Sequence, residues 1–235
     1  MYLDLDYFLS PIYNCQLVNL KDMLQNGTVI NKKKINKPKS LRTAMTIVTQ
    51  IAAQVASSTY GGQTLALSHI APFVRVSEEK IREKFKHLYD ICDKEVVDEL
   101  VSNELKAEIK DSVQTFNYQI STLQTTNGQS PFVSLCIYLN EEPEYIKETA
   151  LLAEEFFNQR IEGMENEYGV KSTQTFPKLL YFLDENNTYE GSEYYWLTEL
   201  ACKSTAKRMN PDYISVKKMK ELVGYAFPPI NKTVA

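Results

Sequence analysis

The sequence predicts an α/β fold built on parallel strands. After residue 120, apolar segments of strand length alternate with amphipathic segments of helical length. The apolar segments 131–139 (PFVSLCIYL) and 176–185 (FPKLLYFLDE) are nearly continuous, which is typical of strands buried on both faces of a parallel sheet. In such sheets ligands bind at the carboxyl ends of strands or in the loops around them, so polar loops beside these strands are candidate sites.

The amino-terminal part of the chain predicts short strands. Residues 12–20 (IYNCQLVNL) alternate weakly between apolar and polar, which predicts a strand that carries Cys15. A turn is expected at residues 26–27 (Asn-Gly), followed by a strand or sheet edge at 29–30. Residues 32–39 are expected to form a loop, because Pro38 disfavours helix in the residue before it.

A long helix is predicted from Ser40 to about Ser57. Ser40 suits the N-cap, and a glycine pair at 61–62 follows the helix. On the polar face Gln50 and Gln54 lie four residues apart and share one side. The apolar residues that recur at helical spacing are Leu41, Ala44, Met45, Val48, Ile51, Ala52 and Val55.

Two helices are predicted over residues 77–91 and about 93–122. Ser77, followed by two glutamates, has the composition of a helix start. Pro143 is predicted to open a further amphipathic helix that ends near Gly163.

The last third of the chain predicts two more helices. The first spans about residues 192–209, with Trp196, Leu200 and Cys202 near its core face. The second is a short helix within residues 212–223.

Composition excludes several classes of protein. The chain has 235 residues with 43% hydrophobic and 24% charged side chains, which is ordinary globular usage. A net charge of −4 gives no general reason to expect nucleic-acid binding. The short basic run 32–34 favours a solvated loop over a phosphate-binding stripe.

Cysteine usage and hydropathy point to a reduced, cytoplasmic protein without a metal site of its own. The four cysteines are far apart, no CxxC pair occurs, and the chain has only two histidines. No signal peptide and no apolar run long enough to span a bilayer is present, so no membrane partner is expected.

A polar turn before the apolar segment 131–139 is the first candidate site. Its hydroxyls, amides and a glycine that allows close backbone approach suit a sugar or phosphate ligand. The alternative is a plain turn whose polar groups satisfy one another. The candidate residues are Gln124, Thr125, Thr126, Asn127, Gly128, Gln129 and Ser130.

Two single residues have both a functional and a structural interpretation. Cys15 on an apolar strand is most simply a small buried hydrophobic residue. His69 is most simply a hydrogen-bonded packing residue. No hydrolase triad, phosphate-binding Walker loop or metal cluster is present in the sequence.

Several segments in a fixed order resemble the catalytic subunit of the anaerobic (class III) ribonucleoside-triphosphate reductases, which are glycyl-radical enzymes. The resemblance covers nearly the whole chain, and the agreement of independent segments makes it specific. The segments are NCQLVNLKDMLQNGTVI (14–30), KPKSLRTAMTIVTQIAAQVASSTYGGQT (37–64), HIAPFV (69–74), STLQTTNGQSPFVSL (121–135), TFPKLLYFLDE (175–185) and ACKSTAKRMNPDYIS (201–215).

The resemblance implies a fold and a reaction. The fold is a ten-stranded α/β barrel made of two five-stranded parallel halves, of which this chain is expected to form the first. The reaction reduces ribonucleoside triphosphates to deoxyribonucleoside triphosphates, with formate as reductant and a glycyl radical that generates a thiyl radical. Cys15 matches the second cysteine, on the first barrel strand, that takes part in reducing the 2′ position. Asn14 and the polar turn match groups beside the substrate.

The resemblance also implies partners. The helix from Ser40 resembles the family's dimer-interface helix, near which deoxynucleoside triphosphate or ATP effectors bind. Gln50 on its polar face is a candidate effector contact; the alternative is a polar helix face at a dimer seam. A homodimer and a radical-SAM activating enzyme are the protein partners expected by resemblance.

The chain departs from the family pattern at both ends. We expect a single partial barrel domain over residues 1–235, without an amino-terminal ATP-binding regulatory domain. Lys232 stands where the thiyl cysteine is expected, and the zinc-binding and glycyl-radical region is expected beyond residue 235. The isolated chain is therefore expected to be inactive, and a non-catalytic nucleotide-binding or dimerisation module is the alternative function.

Overall fold

The structure, a computed structural model of the chain, describes residues 15–58, 61–124 and 130–226. Within these ranges, strands and helices are numbered in chain order. The strands are β1 (Gln16–Leu17), β2 (Thr28–Ile30), β3 (Lys33–Ile35), β4 (Gln63–Ala66), β5 (Val133–Ile137), β6 (Met164–Glu165), β7 (Lys171–Ser172), β8 (Lys178–Leu183) and β9 (Asp212–Ser215). The helices are α1 (Leu20–Gln25), α2 (Leu41–Ala56), α3 (Pro72–Phe85), α4 (Lys94–Thr122), α5 (Ile146–Glu162), α6 (Glu185–Thr188), α7 (Tyr195–Arg208) and α8 (Val216–Val223).

Five parallel strands form the central sheet in the order β1-β4-β5-β8-β9. This order confirms the predicted α/β class and the five-stranded parallel half. The pairs β2–β3 and β6–β7 are separate antiparallel hairpins. Every residue of β5 is buried, as its nearly continuous apolar sequence indicates, and every residue of β4 is buried although it begins with Gln63 and Thr64.

The two faces of the sheet pack differently. On one face, which we call the helix face, Leu135 of β5 and Tyr181 of β8 belong to the main hydrophobic core with α2 to α5 and α7. On the opposite face, which we call the open face, Cys136 and Phe182 form a smaller cluster with Val216 at the start of α8. Helices therefore cover mainly one side of the sheet and leave the other for different contacts.

The helix that begins after Ser40 confirms its prediction. The Ser40 hydroxyl accepts a hydrogen bond from the Thr43 amide, and α2 ends at Ala56. The strands β5 and β8 and the helices α4 and α5 also lie within the predicted segments. Gly163 terminates α5 with a φ of 81°, a left-handed conformation that glycine adopts without steric cost.

The amino-terminal segment departs from its prediction. The strand predicted over residues 12–20 is limited to β1 among the described residues, and α1 follows at Leu20. The Asn19 side chain accepts a hydrogen bond from the Asp22 amide and so starts that helix. The predicted loop 32–39 contains β3, which pairs with β2 across a turn in which Asn31 and Lys32 have positive φ values.

The prediction that Ser77 starts a helix is wrong. Helix α3 begins five residues earlier, at Pro72, whose fixed φ suits a first turn. The Ser77 hydroxyl instead serves two other helices. It accepts a hydrogen bond from the Leu41 amide of α2 at 2.8 Å and donates one to Glu108 of α4 at 2.6 Å.

The last two predicted helices also differ in detail. In α7 the buried residues are Leu197, Ala201 and Ser204, whereas Trp196 and Cys202 are exposed and Leu200 is partly buried. The core face is therefore turned from the predicted one. The predicted helix 212–223 is divided into β9 and α8, because Ser215 caps a helix that begins only at Val216.

We predict that Ser77→Ala lowers the free energy of unfolding by about 1–3 kcal/mol, because the buried Leu41 amide loses its acceptor. Denaturant unfolding measures this change, and Ser58→Ala is the control because Ser58 is exposed near the end of α2. Equal effects of the two substitutions would contradict the role assigned to Ser77.

Candidate functional site

Two of the predicted site residues, Cys15 and Ser130, lie at the amino edge of the sheet. Cys15 immediately precedes β1, and Ser130 lies shortly before β5. The Gln16 amide donates to the Gly62 carbonyl at 3.1 Å, and the Gln63 amide donates to the Phe132 carbonyl at 2.8 Å. Because parallel strands begin at one edge, the segments that lead into β1, β4 and β5 lie side by side in that order. The general expectation for parallel sheets favoured the carboxyl edge, and these residues lie at the opposite edge.

The described candidates are accessible to different degrees. Cys15 is partly buried and forms no disulfide. Gln124 is exposed after α4, and Ser130 is partly buried. Both the structural and the catalytic interpretation of Cys15 therefore remain predictions. The other candidates, which lie outside the described residues, are Asn14, Thr125, Thr126, Asn127, Gly128 and Gln129.

A row of residues on the open face extends from this edge. Leu17, Thr64, Ser134 and Lys178 are register partners on successive strands β1, β4, β5 and β8. Alternation along an extended chain puts Cys15 on the same face as Leu17. The row therefore adds two buried hydroxyls, those of Thr64 and Ser134, to the surroundings of the cysteine.

The last residue of this row, Lys178, is charged. The Lys178 ammonium lies 2.7 Å from a carboxylate oxygen of Asp212 on the neighbouring strand β9, and both side chains are about half exposed. Sequence analysis missed Ser134 and Lys178. The sequence does contain a signal for both residues. Ser134 interrupts the otherwise apolar strand β5, and Lys178 begins the otherwise apolar strand β8.

The other cysteines differ from Cys15 in their surroundings. Cys136 is fully buried on the open face, and burial raises the pKa of its thiol, so it stays protonated. Cys92 and Cys202 are exposed. In residues 15–58, 61–124 and 130–226, no group of three or more His, Cys, Asp or Glu side chains has an arrangement that could hold a metal ion.

A second candidate site is a cleft of about 700 Å³ between α2, α4 and the β2–β3 hairpin. Gln50, the predicted effector contact, lies on its wall. The Thr49 hydroxyl donates to the Gln119 side chain and so joins α2 to α4 beside the cleft. The lining residues are Ile30, Asn31, Ile35, Thr49, Gln50, Ala53, Gln54, Ser57, Gln119, Thr122 and Leu123.

The chemistry of this cleft suits a polar ligand of moderate size. Its described side chains are apolar or carry uncharged amides and hydroxyls. The basic run 32–34 begins directly after Asn31, at the hairpin turn that borders the cleft. The wall therefore offers uncharged hydrogen-bonding groups, and no lysine of this run is among the described residues that line the cleft.

The carboxyl edge of the sheet holds a polar cluster. Ser68 donates to Glu141 at 2.6 Å, and Asn140 donates to Asp184 at 2.8 Å. His69 Nε2 lies 3.9 Å from Glu141, but burial lowers the pKa of the imidazole and raises that of the Glu141 carboxyl. We therefore assign His69 as neutral, so that the 3.9 Å contact is not an ion pair. The hydrogen bond expected of a packing histidine is not observed at Nδ1, which has no partner in the described part of the chain.

No helix in the described part of the chain combines the length and apolar character that crossing a bilayer requires.

The fold resembles that of solved anaerobic ribonucleotide reductases. An anaerobic ribonucleotide reductase from Thermotoga maritima, solved in complex with dATP and CTP, superposes with a TM-score of 0.58 at 16% identity. The match covers 91% of this chain and 35% of that chain. A second structure of the same enzyme, with dATP bound in the specificity site, gives a TM-score of 0.59.

Sequence comparison gives the family. A family model described as anaerobic ribonucleoside-triphosphate reductase matches residues 2–228, and the chain therefore belongs to this family of oxidoreductases. It is 36% identical over 232 residues to the anaerobic ribonucleoside-triphosphate reductase of Enterobacteria phage T4, covering 96% of this chain and 36% of the relative. The Escherichia coli (strain K12) relative is 34% identical, with coverage of 98% and 31%. The chain thus spans about a third of these relatives.

We predict that His69 makes stability depend on pH. Its pKa is lowered in the folded state, so the unfolded chain binds a proton first and stability falls as pH decreases from about 6.5 through the folded pKa. His69→Gln should remove this part of the dependence in unfolding measured across that range. His87→Gln is the matched control because His87 is exposed, and an unchanged pH profile for His69→Gln would contradict the assignment.

Proposed function

We propose that this chain supplies part of the substrate site and an effector site of an anaerobic reductase that converts ribonucleoside triphosphates into deoxyribonucleoside triphosphates. The observation that carries the proposal is that Cys15 and Ser130 both lie at the amino edge of the sheet, before the strands β1 and β5 that flank β4. Family membership supports the reaction class.

Cys15 is the proposed catalytic residue. A thiol can give up a hydrogen atom, and the partly buried Cys15 is accessible to a substrate where the fully buried Cys136 is not. In the proposed reaction Cys15 takes part in reducing the 2′ position of the ribose. Its neighbours on the open face provide hydroxyl groups and no second described thiol close to the amino edge.

Substrate binding is assigned to the polar turn and its surroundings. Gln124 and Ser130 flank the turn at the amino edge, and Asn14 with residues 125–129 completes the proposed set. Amide and hydroxyl groups hold a ribose by hydrogen bonds without titrating, so binding needs no protonation change in this turn.

The remaining components of the reaction are assigned to parts outside this chain. We propose a glycyl radical as the initiator, formate as the reductant, a structural zinc, a radical-SAM activating enzyme, and a homodimeric assembly in the cytoplasm. The radical chemistry belongs to those components, whereas this chain binds and orients the nucleotide and contributes a thiol.

A second function is favoured by the cleft around Gln50. Because α2, α4 and the β2–β3 hairpin enclose this cleft within the chain, it could bind a deoxynucleoside triphosphate without any catalytic step. The chain would then be a nucleotide-binding or dimerisation module. Effector binding with no contribution of Cys15 to turnover would favour this function over the first.

We predict that Cys15→Ala abolishes deoxynucleotide formation by the reductase that contains this chain, because the 2′ reduction loses its thiol. Product formation under anaerobic conditions measures the loss, and equilibrium binding of the ribonucleotide should be retained. Cys202→Ala is the control because that thiol is exposed on α7, away from the amino edge. Full turnover by Cys15→Ala would exclude the proposed role.

We predict that Gln50→Ala weakens deoxynucleoside triphosphate binding by about tenfold, the effect of losing one hydrogen bond. Calorimetric titration measures the affinity. Gln114→Ala is the control, since Gln114 is exposed on α4 and does not line the cleft. Equal affinities for the two variants would remove Gln50 from the effector site.

A further inference from the structure

Two exposed apolar surfaces lie outside both candidate sites. The first, which we call the α4 patch, consists of Ile91, Val96 and Leu100 around the start of helix α4, which are 77%, 49% and 42% exposed. The second, which we call the α8 face, consists of Leu222 and Val223 at the end of helix α8, which are 82% and 49% exposed. Val96 and Leu100 are four residues apart and so share one side of α4. Neighbouring exposed apolar side chains are typical of surfaces that bind another protein.

Acidic side chains surround the α4 patch. Glu95 and Glu99 each directly precede a residue of the patch and are themselves four residues apart, so they form a stripe beside it. Asp90 and Asp93 lie in the segment before the helix, and Lys94 is the one basic side chain that accompanies them in sequence. All four acidic side chains are exposed, and none of them takes part in a salt bridge in the described part of the chain. Like charges at helical spacing repel one another, so a cationic partner would stabilise this surface.

Lysines flank the α8 face. This face continues the side of α8 that Val216 and Met219 attach to the smaller cluster of the open face. At about 100° per residue, Lys218 and Lys220 lie on the two sides of this apolar arc. Lys218 is 2.6 Å from Glu221, whereas Lys220 takes part in no salt bridge among the residues that the structure describes. The α8 face therefore has apolar side chains with positive charge at their border, which is the complement of the α4 patch.

The two surfaces lie on opposite sides of the sheet. Helix α4 packs on the helix face through buried residues such as Val101 and Leu105. Helix α8 packs on the open face through Val216. Both surfaces remain exposed, so neither covers the other within one copy of the chain. A contact between them therefore needs two copies, and since each copy has one surface of each kind, such a contact is head-to-tail.

We propose that the α8 face of one copy of this chain docks on the α4 patch of a second copy. The apolar side chains meet at the centre of this contact, and the lysines of α8 neutralise the carboxylates at its border. The small area of the contact makes it weak, and its charges make it sensitive to salt. The inference goes beyond the proposed function, because neither surface contains Cys15, Ser130 or a residue of the Gln50 cleft. It also differs from the homodimer expected by resemblance, which uses helix α2.

The test is sedimentation velocity of the full chain at increasing concentration, at low and at high salt. The mean mass should rise beyond that of a dimer, because head-to-tail contacts extend into a chain, and it should fall at high salt. Val96→Gln in the α4 patch and Leu222→Gln in the α8 face should each weaken the association about tenfold, because apolar contact is lost. Val170→Gln is the matched control and should associate like the unmodified chain, since Val170 is exposed beside β7.

Mixing the two variants tests the geometry of the contact. Val96→Gln keeps an intact α8 face and Leu222→Gln keeps an intact α4 patch, so an equal mixture should recover one full-strength contact per pair without extending further. Weakening in only one of the two variants would mean that like surfaces meet, and would overturn the inference. A mean mass that does not change with concentration or salt would overturn it as well. If either variant does not fold by circular dichroism, Lys220→Glu decides, because it should weaken the association at low salt.

Discussion

The common direction of five strands is the constraint on which the rest of this structure depends. Because β1, β4, β5 and β8 are parallel, their amino ends share one edge, and residues far apart in sequence meet there. Cys15 and Ser130 share one edge for this reason and not through local structure. Parallel pairing also requires a crossover between successive strands, and here the long helices α2, α4 and α5 supply it on the helix face.

The two faces of the sheet consequently differ in the side chains they carry and in what packs on them. On the helix face, large apolar residues such as Leu135 and Tyr181 are enclosed by helices and provide the main core. On the open face, the paired residues Thr64 and Ser134 carry buried hydroxyl groups instead of apolar side chains. Alternation of period two lets the same strands carry apolar side chains on the helix face and these hydroxyls on the open face.

Local patterns predicted most of the fold. The apolar runs that became β5 and β8 and the Ser40 cap of α2 carry their signal within a few residues. The failures depend on partners distant in sequence. Ser77 looks like a helix start, yet its hydroxyl binds residues of two other helices. β9 is mostly exposed and has no apolar run, so only pairing with β8 reveals it as a strand. The cleft around Gln50 likewise exists only through tertiary packing.

One hydrogen bond connects the Gln50 cleft with the amino edge of the sheet. The Gln63 side chain, at the first residue of β4, donates a hydrogen bond of 2.7 Å to the carbonyl of Ala52 in the middle of α2. Ala53 beside it lines the cleft of Gln50, while the Gln63 backbone pairs with the strands of the amino edge. Helix α2 and the start of β4 are thus joined by a side-chain hydrogen bond. The wall of the Gln50 cleft is therefore hydrogen-bonded to the start of β4, immediately beside the strand that follows Cys15.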